Sequence, residues 1–497
     1  MINITDIQLL QYSLATPLIA ALLAAIIPYR NIRDGLVFLT SAALPFFIYK
    51  IYQLFLSGTV PLEWKLFEII PGIALHFKLE ALGVIFAIIL ALLWPISLLY
   101  SIGYMRSNNE GNLNRFFAFF CLSIFASVGI AFSGNLLTLF LFYELLTLTT
   151  YPLVTHNRSD KTRKAGRVYL GILMGTSLLF FLPAIILTYS AVGTLDFTVG
   201  GILGDKISPT MTIILLALFM LGIAKAALIP LHRWLPRAMV APAPVSALLH
   251  AVAVVKAGVF TIIKVIVYIF GIDNLEKLSP QLGQYSDWLL YLAAFGVIFA
   301  SIVALSKDGL KQILAYSTIS QLAYVTMSLA IFSPKAVIAA VFQIAAHAFA
   351  KAIMFFSVGA VSTVTGKKKV SEIYGVGRRM PVTMACFAIA ALALIGLPPT
   401  AGFIAKWYML DAAIGSEQYI ILAVIIVSTM LNAGYFLPII YKAFFGEEKP
   451  AEGTAISSNY SEAPLLMLVA MCISTLAVLL LFAWPERILA LAEMVGK

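Results

Sequence analysis

The chain alternates long apolar runs with short polar joints. A bilayer core needs about 20 apolar residues per helix. About fourteen such runs can be traced, centred near residues 18, 45, 92, 123, 145, 178, 221, 257, 296, 320, 348, 396, 431 and 473. The first begins near Ile7 with no charged region or cleavage site before it, so it reads as a membrane span. The joints are too short for a separate soluble domain. One of them breaks the pattern: WKLFEI, Pro71-Gly72 and IALHFKL alternate apolar with polar positions around a turn dipeptide. That is a hairpin signal, expected as a small flap outside the membrane. A polar stretch near 447–464 reads as an ordinary loop.

Composition agrees. Of 497 residues, 61% are hydrophobic and only 11% charged, with mean hydropathy +0.98. Soluble chains carry about 25% charge. A water-soluble enzyme, a nucleic-acid-binding protein and a disordered scaffold are therefore excluded, and an all-α polytopic membrane protein is expected. The net charge of +10 lies mainly in one set of loops. Those after odd-numbered runs hold about 20 lysines and arginines, including Arg158, Lys161, Arg163, Lys164 and Arg167; those after even-numbered runs hold roughly 5. The positive-inside rule then places the odd loops in the cytoplasm and both termini outside. Cys121, Cys386 and Cys472 lie inside apolar runs without spacing partners and read as packing residues.

The informative residues are those that are costly in a membrane. An ionisable group at the centre of a membrane helix costs at least about 3 kcal/mol and is a functional candidate by default. Glu144 lies in the fifth run, Lys225 in the seventh, and His250, Lys256 and Lys264 in the eighth. His347 and Lys351 follow in the eleventh and Lys406 in the twelfth. A single buried Lys–Glu pair can be helix glue, but glue balances charges, and here one carboxylate faces many lysines. Several of these lysines must be neutral part of the time or share water, as in a proton relay. Gln343, His347 and Lys351, at successive i, i+4 positions, line one helix face over about 12 Å. Lys256 and Lys264, eight apart, lie on similar faces, whereas His250 and Lys256, six apart, do not. Lys264, two turns nearer the surface, is expected to snorkel.

Two runs look broken. The seventh reads GIAKAALIPLHRWLP, with Pro230 and Pro236 after Lys225; the twelfth reads IGLPPTAGFIAKW, with Pro398, Pro399 and Gly402 before Lys406. Proline removes a ladder hydrogen bond, so each predicts a discontinuous helix whose freed carbonyls face a polar cavity. Matching breaks in two halves point to inverted repeats with sites near the midplane. The five histidines show no metal-ligand spacing, there is no phosphate-binding glycine loop or nucleophile elbow, and no cofactor is expected.

Four segments resemble one family: KAALIPLHRWLPRAMVAPAPVSALLHAVAVVKAG, LKQILAYSTISQLAY, AHAFAKAIMFFSVGA and GLPPTAGFIAKW. They are similar to the proton-translocating antiporter-like subunits of respiratory complex I, of Mrp-type cation/proton antiporters and of energy-converting hydrogenases. The resemblance covers nearly the whole chain. It implies about fourteen transmembrane helices with two inverted five-helix repeats, broken at the seventh and twelfth. It also implies roles: Glu144 in FYELLTL as partner of Lys225, Lys256 as the central lysine with His250 on the same helix, His347 and Lys351 as the bridge, and Lys406 as the exit-side lysine. His232 sits in the first break. Lys256 with Lys406, and YELLTLTTYPLV, look most like the Mrp D-type subunit, with Gln343 standing where some members have a second histidine.

The expected domains are N-terminal helices with the hairpin (1–105), a first repeat (106–272), a second repeat (285–446) and a C-terminal helix (460–497). The resemblance implies a component of a multisubunit complex in a prokaryotic cytoplasmic membrane, with other membrane subunits as partners and protons, with or without sodium, as cargo. The chief alternative is a pump subunit of a complex I-like oxidoreductase or hydrogenase, its redox chemistry lying in partner subunits. A free-standing solute transporter would need a polar substrate pocket that the sequence does not offer.

Overall fold

The computed structural model of the protein describes residues 6–58, 62–282, 287–447 and 461–496; most of the loop expected near 447–464 lies outside them. Each apolar run is occupied by a helix. The first six are α1 (Asp6–Ile26), α2 (Arg30–Leu56), α3 (Ala81–Ser107), α4 (Leu113–Ala131), α5 (Leu136–Val154) and α6 (Asp160–Val192). The middle of the chain holds α7 (Pro209–Gly222), α8 (Ala243–Phe270), α9 (Trp288–Leu305), α10 (Leu310–Leu329) and α11 (Pro334–Thr365). The twelfth run is split into α12 (Pro381–Ile395) and α13 (Ala401–Gly415), followed by α14 (Tyr419–Phe445), α15 (Leu465–Ala483) and a short unforeseen α16 (Glu486–Gly496). Among the described residues, eleven of these helices are long and apolar enough to cross a membrane; α7 and α12 are shorter apolar helices. The 20-residue α10 is not among the eleven, because Gln312, Ser317, Thr318, Ser320 and Gln321 interrupt its apolar positions.

The hairpin forms where the alternation predicts it. Strands β1 (Glu63–Ile70) and β2 (Ile73–Lys78) pair antiparallel, Glu63 opposite Lys78 and Lys65 opposite His76, around Gly72 at φ +82°. It is not a free flap. The amide of Lys78 donates to Phe132 O (2.8 Å), that of Gly134 to His76 O (2.8 Å), and the Asn135 side chain to Ala74 O (2.9 Å). β2 is therefore sewn onto the joint between α4 and α5, while β1 stays exposed.

The helices are packed inside-out relative to a soluble protein. Large apolar side chains such as Leu39, Phe295, Met430 and Leu476 are exposed on the outside, where hydrocarbon is the solvent. The most enclosed helices are α8, wholly buried along its apolar window, and α11, 94% buried. These two carry most of the ionisable groups. Elsewhere buried charges are paired: each carboxylate oxygen of Asp34 accepts from a different arginine, Arg33 or Arg106, and Arg33 also reaches Asn114 (2.7 Å), tying α2, α3 and α4 together. Cys121 and Cys386 are buried as expected of packing residues, but Cys472 is exposed.

Both expected breaks are present, with shifted edges. α7 stops at Gly222, eight residues before Pro230, and the chain continues through a 3-10 turn at Ala224–Ala226 to Ala227 at φ +54°. A proline in a helix clashes with the carbonyl four residues earlier and disfavours helix at the residue before it, so the turn leading to Pro230 cannot continue. Lys225 thus lies inside the break. The second break runs from Gly396 (φ +89°) through Pro398 and Pro399 to Thr400, the N-cap of α13. Gly402, expected in the break, belongs to the first turn of α13. Its role is close approach, since a side chain there would collide with the Ala393 carbonyl of α12. The Ile229–Pro230 and Pro398–Pro399 peptides are cis.

Candidate functional site

The eighth helix is not a regular α-helix. Leu248–Val252 forms a π-turn around His250, and Val254–Val265 resumes the α-helix. One extra residue in a turn underwinds the helix and redirects its side chains. His250, expected on a different face from Lys256, consequently points the same way. Its Nδ1 lies 3.0 Å from Thr318 Oγ1 on α10 and its ring 4.6 Å from Phe355 on α11. Lys256 reaches α11 directly, its Nζ in a close hydrogen bond with His347 Nδ1. One turn further along α11, Lys351 donates to Leu314 O (3.0 Å) and to the Ser317 hydroxyl. His250, Lys256, His347 and Lys351 are all buried and join α8, α10 and α11.

The first break holds Lys225. Its Nζ donates to Tyr143 O (2.7 Å) and lies 3.1 Å from the centre of the Tyr143 ring, and its amide donates to the Tyr143 hydroxyl (3.1 Å). Glu144 follows Tyr143 on α5. The direct Glu144–Lys225 ion pair expected from the sequence is not formed; both Glu144 oxygens are buried without a hydrogen bond. The helix places consecutive side chains about 100° apart, so Tyr143 faces the break and Glu144 stands beside it. The freed carbonyl of Ala224 is taken by the Trp234 indole (3.0 Å).

The second break holds Lys406. From α13 its Nζ reaches back to Ile395 O, the last carbonyl of α12 (2.7 Å), and to Thr429 Oγ1 on α14 (2.8 Å), with the Tyr324 ring 5.1 Å away. The neighbouring carbonyl, Leu394 O, accepts from Gln321 (3.2 Å) and Asn432 (3.4 Å), and Gln321 in turn accepts from Gln343 (2.6 Å). An amide chain therefore links α11, one turn from His347, to the carbonyls that Lys406 caps. The freed carbonyls are satisfied by side chains of other helices, as the membrane interior demands.

Lys264 corrects an expectation. It does not snorkel: it is fully buried and bonds to Ser133 O (2.5 Å) and Glu80 (3.2 Å), because docked β2 closes over the end of α8. Other contributors went unnoticed in the sequence. Ser317, Thr318, Gln321 and Tyr324 recur every three to four residues within LAYSTISQLAY, a polar stripe on a buried helix, and could have been found by that spacing. Tyr143 and Thr429 carry no such signal. The Nε2 atoms of His250 and His347 are buried without hydrogen-bond partners, unusual for imidazoles that serve only packing. Among the described residues no group of three His, Cys, Asp or Glu could hold a metal ion.

The profile of the family described as NADH:quinone oxidoreductase/Mrp antiporter, TM, matches residues 133–432, a stretch that includes both breaks and every candidate from Glu144 to Lys406. The chain belongs to this family. As a member of the NADH:quinone oxidoreductase/Mrp antiporter family it is 31% identical to NADH-quinone oxidoreductase subunit N of Desulforudis audaxviator, over 79% of each chain. It is 29% identical to a Na(+)/H(+) antiporter subunit of Alkalihalophilus pseudofirmus over 90% of its own length, but spans only 58% of that relative. The antiporter-family fold is also that of a chain of the archaeal membrane-bound sulfane sulfur reductase (TM-score 0.84, 22% identity, 98% of this chain and 96% of that one). A chain of the Mrp complex from a Dietzia species matches equally well (0.84, 20%, 99% and 96%).

Proposed function

We propose that the chain is a proton-conducting membrane subunit of a multisubunit complex, moving protons along Glu144, Lys225, Lys256 with His250, His347 with Lys351, and Lys406. The observation that carries this reading is the Lys256–His347 hydrogen bond. It joins two fully enclosed helices between two broken ones, each break with its own buried lysine. A lysine amine against an imidazole is a donor–acceptor pair in which either partner can hold the proton. Residues 106–272 and 285–446 are read as the two repeats that this contact connects. The basic loops face the cytoplasm of a prokaryotic cell, leaving both termini outside; labelling of single cysteines placed near each terminus tests that orientation.

Similarity to the Alkalihalophilus Na(+)/H(+) antiporter protein favours proton exchange against sodium in an Mrp-type assembly, with this chain in the D-type place. A second reading, proton pumping in a redox-driven complex, is favoured by the 31% identity to subunit N; partner subunits would supply the electron transfer. Both use the same axis. The test is proton flux in liposomes containing the assembled complex. Lys256→Met should remove the flux while the complex still assembles, and wild-type flux in that variant would overturn the reading.

A further inference from the structure

A second set of ionisable groups lies outside the axis, where β2 covers the end of α8. Lys264, fully buried, is 3.2 Å from Glu80 at the start of α3. Glu80 is 3.9 Å from Lys78, which is 3.8 Å from Glu63 across the hairpin. Glu63 is 3.4 Å from His76 Nε2, and His76 Nδ1 is 3.5 Å from Asp196 in the joint after α6. Exposure rises along this series: the Lys264 and Glu80 side chains are 0% and 8% exposed, those of Glu63 and Asp196 38% and 52%. His76 itself is buried, with each ring nitrogen facing a carboxylate. At the two ends of the series, Lys65 stands near Asp196 and the Tyr268 phenol near Glu80. The neighbouring His76 ring holds the Asp196 carboxyl below the usual carboxylate range, so the outermost group stays an anion open to solvent.

A structural ion pair does not need this continuity. Lys264 needs only Glu80, yet acids and bases alternate without a gap to the surface. Lys264 also shares a helix with Lys256, eight residues or about 12 Å away, with Phe260 between them stacked on Phe86 (4.8 Å).

We propose that Lys264, Glu80, Lys78, Glu63, His76 and Asp196 form a proton ladder between the end of α8 and the membrane surface on the hairpin side. The proposal rests on the proton-conducting reading and adds an outlet to it. Lys264 gives a proton to Glu80, leaving a neutral amine and a carboxylic acid. Lys78 passes its own proton to Glu63 and is reprotonated by Glu80. Glu63 protonates His76 at Nε2, and His76 releases the Nδ1 proton to Asp196 and then to water. One proton crosses and each group returns to its starting charge once Lys264 is reloaded.

The experiment is proton flux driven by a potassium diffusion potential in liposomes containing the assembled complex. Glu80→Gln should lower flux about a hundredfold, the scale of losing a proton-transfer group. Because that variant leaves Lys264 without its counter-charge, the double variant Glu80→Gln/Lys264→Met is measured beside it. A structural ion pair predicts that removing both charges restores flux; the ladder predicts that flux stays low in a complex that assembles normally. Restored flux, or wild-type flux in Glu80→Gln, overturns the ladder. Lys256→Met separates the two ideas: low flux there with wild-type flux in the double variant rejects the ladder alone, and wild-type flux in Lys256→Met rejects the conducting reading itself.

Discussion

Lys225 and Lys406 solve the same problem with different chemistry. Each is a buried lysine at a broken helix, and each Nζ caps a main-chain carbonyl at 2.7 Å, Tyr143 O for Lys225 and Ile395 O for Lys406. Around Lys225 stand an aromatic face and, one residue on, the carboxylate of Glu144. Around Lys406 stand a hydroxyl, Thr429, and a more distant ring, Tyr324, with no carboxylate in contact among the described residues. The second half has no counterpart of Glu144; Asp308, on the joint between α9 and α10, is exposed and occupied with Ser371. A full negative charge and a set of dipoles stabilise an ammonium to different degrees in low dielectric. The first half can hold its proton against an anion, while the second holds it only through dipoles. A proton passed from the first lysine to the second therefore moves to the site that releases it more readily.

The sharpest way to break this comparison is Lys406→Arg. Arginine keeps the positive charge and does not deprotonate in proteins, so flux should vanish while assembly is preserved, measured in liposomes beside purification of the intact complex. Wild-type flux would make Lys406 a fixed charge and move the end of the relay elsewhere. Glu144→Gln tests the other side. The shape is kept and the anion lost, and flux should fall about a hundredfold; unchanged flux would make the two lysine sites equivalent. Thr429→Val removes the hydroxyl that supports Lys406. Loss of a hydrogen bond to a charged group, worth about 2 kcal/mol, should change flux roughly thirtyfold. Tyr143→Phe keeps the ring over Lys225 and removes only the hydroxyl bonded to its amide. About 1 kcal/mol corresponds to roughly fivefold, the smallest effect, and a larger loss would mean that the phenol itself carries protons.

How far the chain could be read without coordinates differed by residue. Fourteen apolar runs, the hairpin at Pro71-Gly72 and both breaks follow from local chemistry: apolar length, a two-residue period, and prolines that cannot complete a helical ladder. The ionisable residues announced themselves because charge in a membrane helix is expensive wherever it sits. Their partners did not. Whether Lys225 meets Glu144 or Tyr143 depends on how α5 is rotated against the break, and that rotation is set by packing. The common direction of His250 and Lys256 depends on a π-turn with no proline or glycine to mark it. Lys264 looked free to reach water because the sequence does not say that β2 folds back over the end of α8.

By itself, then, the sequence determined that the protein crosses a membrane, where its helices lie and break, and which side chains are too costly to be idle. These properties depend on a residue and its near neighbours. The tertiary structure alone decided which carbonyl, hydroxyl or carboxylate answers each buried charge, since such contacts join residues as far apart as Lys264 and Ser133 or Lys256 and His347. In a medium without water every polar group must find its partner within the protein, and only the packing of the whole bundle fixes which one it finds.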